Sequence, residues 1–424
     1  MDRREWMTLC SASVAGASLS GWLAPLAAHA ATQPKGRKKS CILLWMDGGP
    51  SHVETFDPKP AAGAQVMAEL SAINTSIPGI QIGEKFPNLA KLMNHGAIIR
   101  SMSTAEADHA RARIYMQTGY KPGQGGVTYP PLGSTVSAEL ERADSPLPNF
   151  VIAGAPLNKH DFIRDPGYRG ARHQPLVLND LRDGLANVTP AVPWPEFDQR
   201  VHLLGQLEQS FGRTAPAPAV QSHYEGLKSA LRLMRSDRRE CFDLSKEPER
   251  VREAYGDSDF GRGCLLARRL VEQDVAFVEV YLANWDTHEQ RVAVASRDLM
   301  TQVDLGMSAL IRDLHDRGLL DSTLVLWMGE FGRTPIVNRN GGRDHHARAW
   351  STALFGGGVK GGQVIGATDR TGAEVIDRPI GVKDYMATVC QLLGIQWEKE
   401  IDTPSGRPIR IVEKEAAVIR ELLA

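Results

Sequence analysis

The chain has 424 residues, with 49 basic and 50 acidic side chains and a formal net charge of −1. That balance supplies no field for nucleic acid or for an anionic membrane surface. The length allows two or three domains, but α/β folds often spend it on one.

The first 30 residues read as an export signal. A charged start with Arg3-Arg4 is followed by a weakly apolar Ala/Ser/Gly stretch and by Ala28-His29-Ala30, an A-x-A cleavage pattern. The paired arginines point to the twin-arginine route of bacteria and its export machinery, although Asp2 stands where Ser or Thr is usual. The stretch 7–28 is too polar for a stable membrane span. The expected location is therefore periplasmic or cell-surface, and the alternative is an ordinary general-secretion signal. The mature chain starts near residue 31 and reads as a single domain, 31–424. The basic run 35–39 reads as a solvated linker. Of five cysteines, Cys10 leaves with the signal. Cys41 and Cys390 lie in apolar contexts and read as core residues, and a chain of this size needs no disulfides.

Short apolar runs bounded by Gly, Asn or Asp mark buried strands at 41–46, 97–102, 150–153, 275–282, 323–328 and 350–355. Helices are expected at 87–94, 111–117 and 249–273, the last interrupted near 256–263, and at 292–316. In 292–316 the apolar positions Leu299, Val303, Met307, Leu310, Ile311 and Leu314 follow helical spacing. A charged helical stretch at about 198–262, broken near 215–218, reads as an insertion. Alternating strands and helices imply a mostly parallel central sheet with helices on both faces.

Acids and histidines sit at the ends of these runs. Asp47 follows the first strand, Asp286 and His288 follow 275–282, and Glu330 follows 323–328. Asp344, His345 and His346 precede 350–355. An open α/β sheet binds ligands beyond the carboxyl ends of its strands. Imidazole and carboxylate together suit zinc, manganese or iron. The familiar motifs fail. His288-Glu289 lacks the second histidine of a zinc-protease helix, and Gly356–Gly361 is not followed by a helix. Ser51 lacks the flanking glycine of a nucleophile elbow.

The motifs Met46-Asp-Gly-Gly-Pro-Ser-His52, Thr55-Phe-Asp-Pro-Lys59, Trp285-Asp-Thr-His288, Trp327-Met-Gly-Glu-Phe-Gly-Arg-Thr-Pro335, Gly342-Arg-Asp-His345 and Asp377-Arg-Pro379 resemble the DUF1501 family. That family is related to sulfatases and to the alkaline phosphatase superfamily. The resemblance covers nearly the whole mature chain. It implies an alkaline phosphatase/sulfatase-like α/β fold and a divalent metal, with zinc, manganese and calcium as candidates. Asp47, Asp286, His288, Glu330 and His345 match metal positions, with His346 replacing or joining His345. His109 takes the place of the nucleophile, and no Ser, Thr or Cys lies between Asp108 and Gln117. Its role is open among metal ligand, covalent phospho-acceptor and acid/base. Arg111 and Arg113 are placed to hold an anionic oxygen. The implied partner is an anionic ester or polymer, and the implied reaction is phosphate- or sulfate-ester hydrolysis.

Each residue also has a plain structural reading. Asp47 would serve a turn and Asp286 a helix cap, with His288 a surface residue beside it. Glu330 would pair with Arg333 or Arg343, and Asp344 with Arg343. His52 would hold its own loop, and His109 would cap a helix. Two rivals stand beside the metal hydrolase. One is a non-catalytic surface or polymer-binding relative, and the other a serine hydrolase using Ser51 and His52.

Overall fold

The architecture follows from runs of side chains that are buried along their whole length. In the computed structural model, residues 37–155, 161–182, 184–212, 217–289, 292–404 and 406–424 are described, and the expected export segment lies outside them. Eight strands form one sheet: β1 Ser40–Met46, β2 Gly96–Met102, β3 Phe150–Ala153, β4 Leu176–Leu178, β5 Phe277–Leu282, β6 Thr323–Met328, β7 Trp350–Gly356 and β8 Gln363–Ile365. Their order is β8-β2-β7-β6-β1-β5-β3-β4. Every pairing is parallel except those of β7, which runs antiparallel to both β2 and β6.

β1 is the axis of the molecule. Successive side chains of a strand point to opposite faces. Ile42, Leu44 and Met46 therefore join one core, and Cys41, Leu43 and Trp45 the other. The first core is closed by α5 Asp259–Glu272 and α6 Val292–Asp316. The second is closed by α1 His109–Thr118, α2 Leu132–Glu139 and α7 Val382–Leu393. Both faces of the sheet are dry, as a parallel sheet requires. Each fully buried aliphatic side chain in these layers contributes roughly 1.5–3 kcal/mol. The charged stretch read as an insertion contains two long helices, α3 Trp194–Gly212 and α4 Ala217–Arg235. Cys41, Cys241, Cys264 and Cys390 are all buried free thiols. No described helix is long and apolar enough to cross a membrane.

One element differs in kind from its expectation. The stretch read as a helix at 87–94 is a tight 3-10 turn, Leu89–His95. Its first amides are held by Asp304 of α6, whose Oδ1 accepts from Asn88 N at 3.0 Å and Leu89 N at 2.8 Å. Its last residue runs straight into β2 at Gly96, leaving no length for an α-helix.

Candidate metal centre

Four chain segments meet at the carboxyl ends of β1, β5 and β6. β1 ends at Met46, and Asp47, Gly48 and Gly49 turn away from it. Gly48 has φ +110°, and a Cβ there would lie 2.4 Å from the backbone nitrogen of Asp286. Only glycine permits this approach, and it lets Gly48 N donate to Glu330 Oε1 at 3.0 Å and Oε2 at 3.3 Å. The fourth segment precedes a strand and yet reaches the same end. It does so because β7 is antiparallel, so its amino end lies beside the carboxyl ends of its neighbours.

α1 supplies the facing side. Asp108 caps it by accepting from Arg111 N, and Gly119 ends it in the left-handed conformation. His109 and Arg113 are four residues apart and therefore share one helix face. Arg111 falls on the other side, where it pairs with Glu106 and is exposed. It is not brought into the site as an anion-holding residue.

The imidazoles are fixed by their Nδ1 atoms. His109 Nδ1 lies 2.6 Å from Glu330 Oε1, His288 Nδ1 lies 3.0 Å from Asp344 Oδ1, and His345 Nδ1 lies 2.8 Å from the Ala107 carbonyl. Each partner is an acceptor, so each Nδ1 carries its hydrogen, and Nε2 is a lone pair wherever the ring is neutral. All three Nε2 atoms face Asp286 Oδ1, at 3.2 Å from His109, 3.1 Å from His288 and 3.5 Å from His345. Those of His109 and His345 are buried and have no hydrogen-bond partner. The candidate ligand atoms of His109, Asp286 and His345 lie within 4.8 Å of one another. Phe331 packs against both the His109 and His345 rings, with centroids 4.8 Å away.

Arg333 holds the carboxylate. It is fully buried, and its Nη2 lies 2.5 Å from Asp286 Oδ1. The same guanidinium donates to the carbonyls of Gly48, Gly49 and Arg343. Its Nη1 also lies 3.3 Å from His288 Nε2, and because arginine only donates, that nitrogen must be a lone pair. Burial would raise the Asp286 pKa, but Arg333 and His109 win and hold it at about 2. Burial opposes charge on His109 too, and there Glu330 and Asp286 prevail and raise its pKa. His345 goes the other way. Burial lowers its pKa, the bond to Ala107 only partly offsets this, and His109, Arg333 and His288 repel its proton.

The remaining candidates separate into two groups. Asp47 and Glu330 flank Arg113, whose Nε lies 2.7 Å from Asp47 Oδ1 and 3.4 Å from Glu330 Oε1. They are bound to a guanidinium and do not face the imidazole Nε2 atoms. His52 and His346 form a separate stacked pair, with centroids 6.3 Å apart. His345 and His346 are neighbours in a two-residue strand paired with Gly332–Arg333, so their side chains point to opposite faces. His345 shares Arg333's face, whereas His346 donates from Nε2 to the Ala373 carbonyl at 2.8 Å and His52 likewise to Gly372 at 2.7 Å. Those Nε2 atoms carry hydrogens and cannot be ligands in that state. Sequence reading missed Arg333 as a site residue and offered it only as a partner for Glu330. Its signal was its place in the run after β6, three residues past Glu330.

The fold and site thus describe a mixed α/β protein with a histidine–carboxylate cluster at the end of its central sheet. The chain belongs to the DUF1501 family: the family profile, described as "Protein of unknown function (DUF1501)", matches residues 38–423. Comparison with curated proteins finds no match. Among solved structures, it is similar to the phosphonate monoester hydrolase SpPMH from Silicibacter pomeroyi, at 11% identity and TM-score 0.41, covering 91% of this chain and 76% of that one. It is also similar to the PsFucS1 sulfatase from Pseudoalteromonas sp., at 15% identity and TM-score 0.38, covering 91% and 71%. A third similar structure is a protein in the alkaline phosphatase superfamily from Vibrio parahaemolyticus, at 12% identity and TM-score 0.38, covering 85% and 67%.

Proposed function

We propose that this chain is an exported, metal-dependent hydrolase of phosphate or sulfate esters, with His109, His288, His345 and Asp286 holding one divalent ion. One observation carries the metal assignment. Three imidazoles, each fixed through Nδ1, turn Nε2 toward a single ionised carboxylate oxygen, those of His109 and His345 with no hydrogen-bond partner and that of His288 accepting from Arg333. Lone pairs facing a carboxylate at these distances repel one another unless a cation or proton lies between them. The outer partners of the imidazoles, a carboxylate, a carbonyl and a second carboxylate, are the kind that orient metal-bound histidines. Three nitrogens and one carboxylate favour zinc, manganese or iron, and disfavour calcium, which takes six to eight oxygens.

The ester-hydrolase reading rests on the motif resemblance to the sulfatase and phosphatase relatives of the family. A bound divalent ion would polarise the ester and bring the pKa of a bound water to about 7. The residues do the rest. Glu330 orients His109, Arg333 keeps Asp286 ionised, and Arg113 holds Asp47 and Glu330 beside the cluster. With His109 committed on both nitrogens, the start of α1 carries no free nucleophile.

Elemental analysis of the purified protein, followed by assays on phosphate- and sulfate-ester panels with each metal supplied, tests this reading. A bound transition metal with ester cleavage is expected. A metal-free protein inactive on every panel would favour the polymer-binding alternative. Export rests on Arg3-Arg4 and the 1–30 pattern. Replacing both arginines with Lys should leave the precursor in the cytoplasm, and unimpaired export would point to general secretion.

A further inference from the structure

Two cation positions lie side by side beyond the ends of β1 and β6. One is the cluster of imidazoles around Asp286. The other lies between the side chains of Asp47 and Glu330, which are 7% and 0% exposed. Two carboxylates buried this close together need a positive charge between them. We infer that Arg113 is the resident cation of this second position, so that the protein holds one divalent ion per chain and not two. The inference rests on the reading above that the first position holds an ion.

Three features of the surroundings support it. First, a guanidinium is a permanent cation, unlike a lysine or histidine side chain. Arg113 is also presented rigidly, because it sits one turn after His109 in a helix capped at both ends. Second, among the described residues at this end of the sheet no imidazole is left over for another ion. The Nδ1 atoms of His109, His288 and His345 are bound to Glu330, Asp344 and the Ala107 carbonyl, and their Nε2 atoms all face Asp286. Third, Glu330 is committed on several sides, to Gly48 N, to His109 and to Arg113. Its carboxylate thereby couples the two positions. The arginine holds the acid that holds the first imidazole, which makes Arg113 a positioning residue.

If the guanidinium were removed, the second position would present Asp47, Glu330 and the Tyr281 hydroxyl, which lies 3.3 Å from Asp47 Oδ1. That is an oxygen-donor set, suited to manganese or magnesium.

The test uses the full mature protein incubated with excess Mn(II), passed through a desalting column, and measured for metal per chain and by electron paramagnetic resonance. The wild type should retain one ion with an uncoupled spectrum. Arg113→Met should retain two, with the exchange-coupled spectrum of a neighbouring pair, and Arg113→Lys should retain one. Two ions in the wild type, or a folded Arg113→Met protein that retains only one, would overturn the inference. A wild type that retains none overturns the metal reading itself. Should Arg113→Met fail to fold, the wild-type count and spectrum still decide between one ion and two.

Discussion

Replacing His109 with Ala is expected to strip the metal from the protein. His109 offers its buried, unpartnered Nε2 to the cluster while Glu330 fixes its other nitrogen at 2.6 Å. Loss of a partner that merely orients a ligand typically weakens metal binding by about 10–100-fold. Loss of the ligand itself should exceed the upper end of that range, and turnover should fall with occupancy. His288→Ala and His345→Ala should behave alike, and Glu330→Gln should fall within the milder range. Equilibrium dialysis against a metal indicator measures all four. The competing roles for His109 give a different pattern. A general acid or base would leave metal content unchanged while turnover fell by about 10²–10⁴. A covalent phospho-acceptor would also leave metal in place and would yield a trapped intermediate in the wild type. Metal retained in His109→Ala at wild-type affinity would remove this residue from the ligand set.

The second large effect concerns stability and pH. Glu279 lies in the middle of β5, fully buried, with Oε1 accepting from Gln117 Nε2 at 3.0 Å. Burial raises its pKa to about 8, the Gln117 bond pulls the other way, and nearby Asp47 adds to the rise. Its Oε2 and the Oε1 of Gln117 are both buried and unpartnered. A protonated Glu279 resolves both, because its O–H can turn to the amide oxygen. A carboxyl with a folded pKa above its unfolded value of about 4.3 binds extra protons when folded. Its contribution is complete below the unfolded pKa and is lost as pH rises through about 8. Glu279→Gln keeps a neutral amide at every pH. Its stability relative to wild type should therefore rise between pH 5 and pH 9, by about 2–4 kcal/mol at the upper end, less than full linkage because buried sites relax. Urea unfolding of both proteins across that range measures it. Parallel stability curves would show that Glu279 is ionised throughout.

Most of the sheet was legible because its strands are runs of apolar residues with turn residues on either side. β1, β2, β3, β5, β6 and β7 all have that signature. β4 and β8 do not. Each is three residues long and only partly buried, so neither leaves a pattern. α2 was hidden inside a stretch rich in proline and glycine. The reversed direction of β7 left no mark either, because a strand reads the same both ways. That reversal is what carries His345 to the cluster. The acids and histidines were legible as a set, since polar groups at the ends of parallel strands have one place to meet.

How they divide was not legible. Asp47 went to Arg113, and Glu330 went to Arg113 and to the far nitrogen, Nδ1, of His109, because Arg113 follows His109 by one helical turn and reaches both acids. The opposite fates of His345 and His346 follow from a two-residue strand too short to recognise. Arg333 was visible only as a basic residue in a motif, and its five bonds draw on segments far apart in the chain.

The central claim is that the imidazoles and Asp286 surround a metal. The most direct test is anomalous diffraction from crystals of the protein as purified, with data collected on either side of the absorption edge of the metal found by elemental analysis. A single anomalous peak is expected within bonding distance of the Nε2 atoms of His109, His288 and His345 and of the Asp286 carboxylate, at about 2.0–2.2 Å for zinc. No peak at that point, or a peak between Asp47 and Glu330 with Arg113 swung aside, would contradict it.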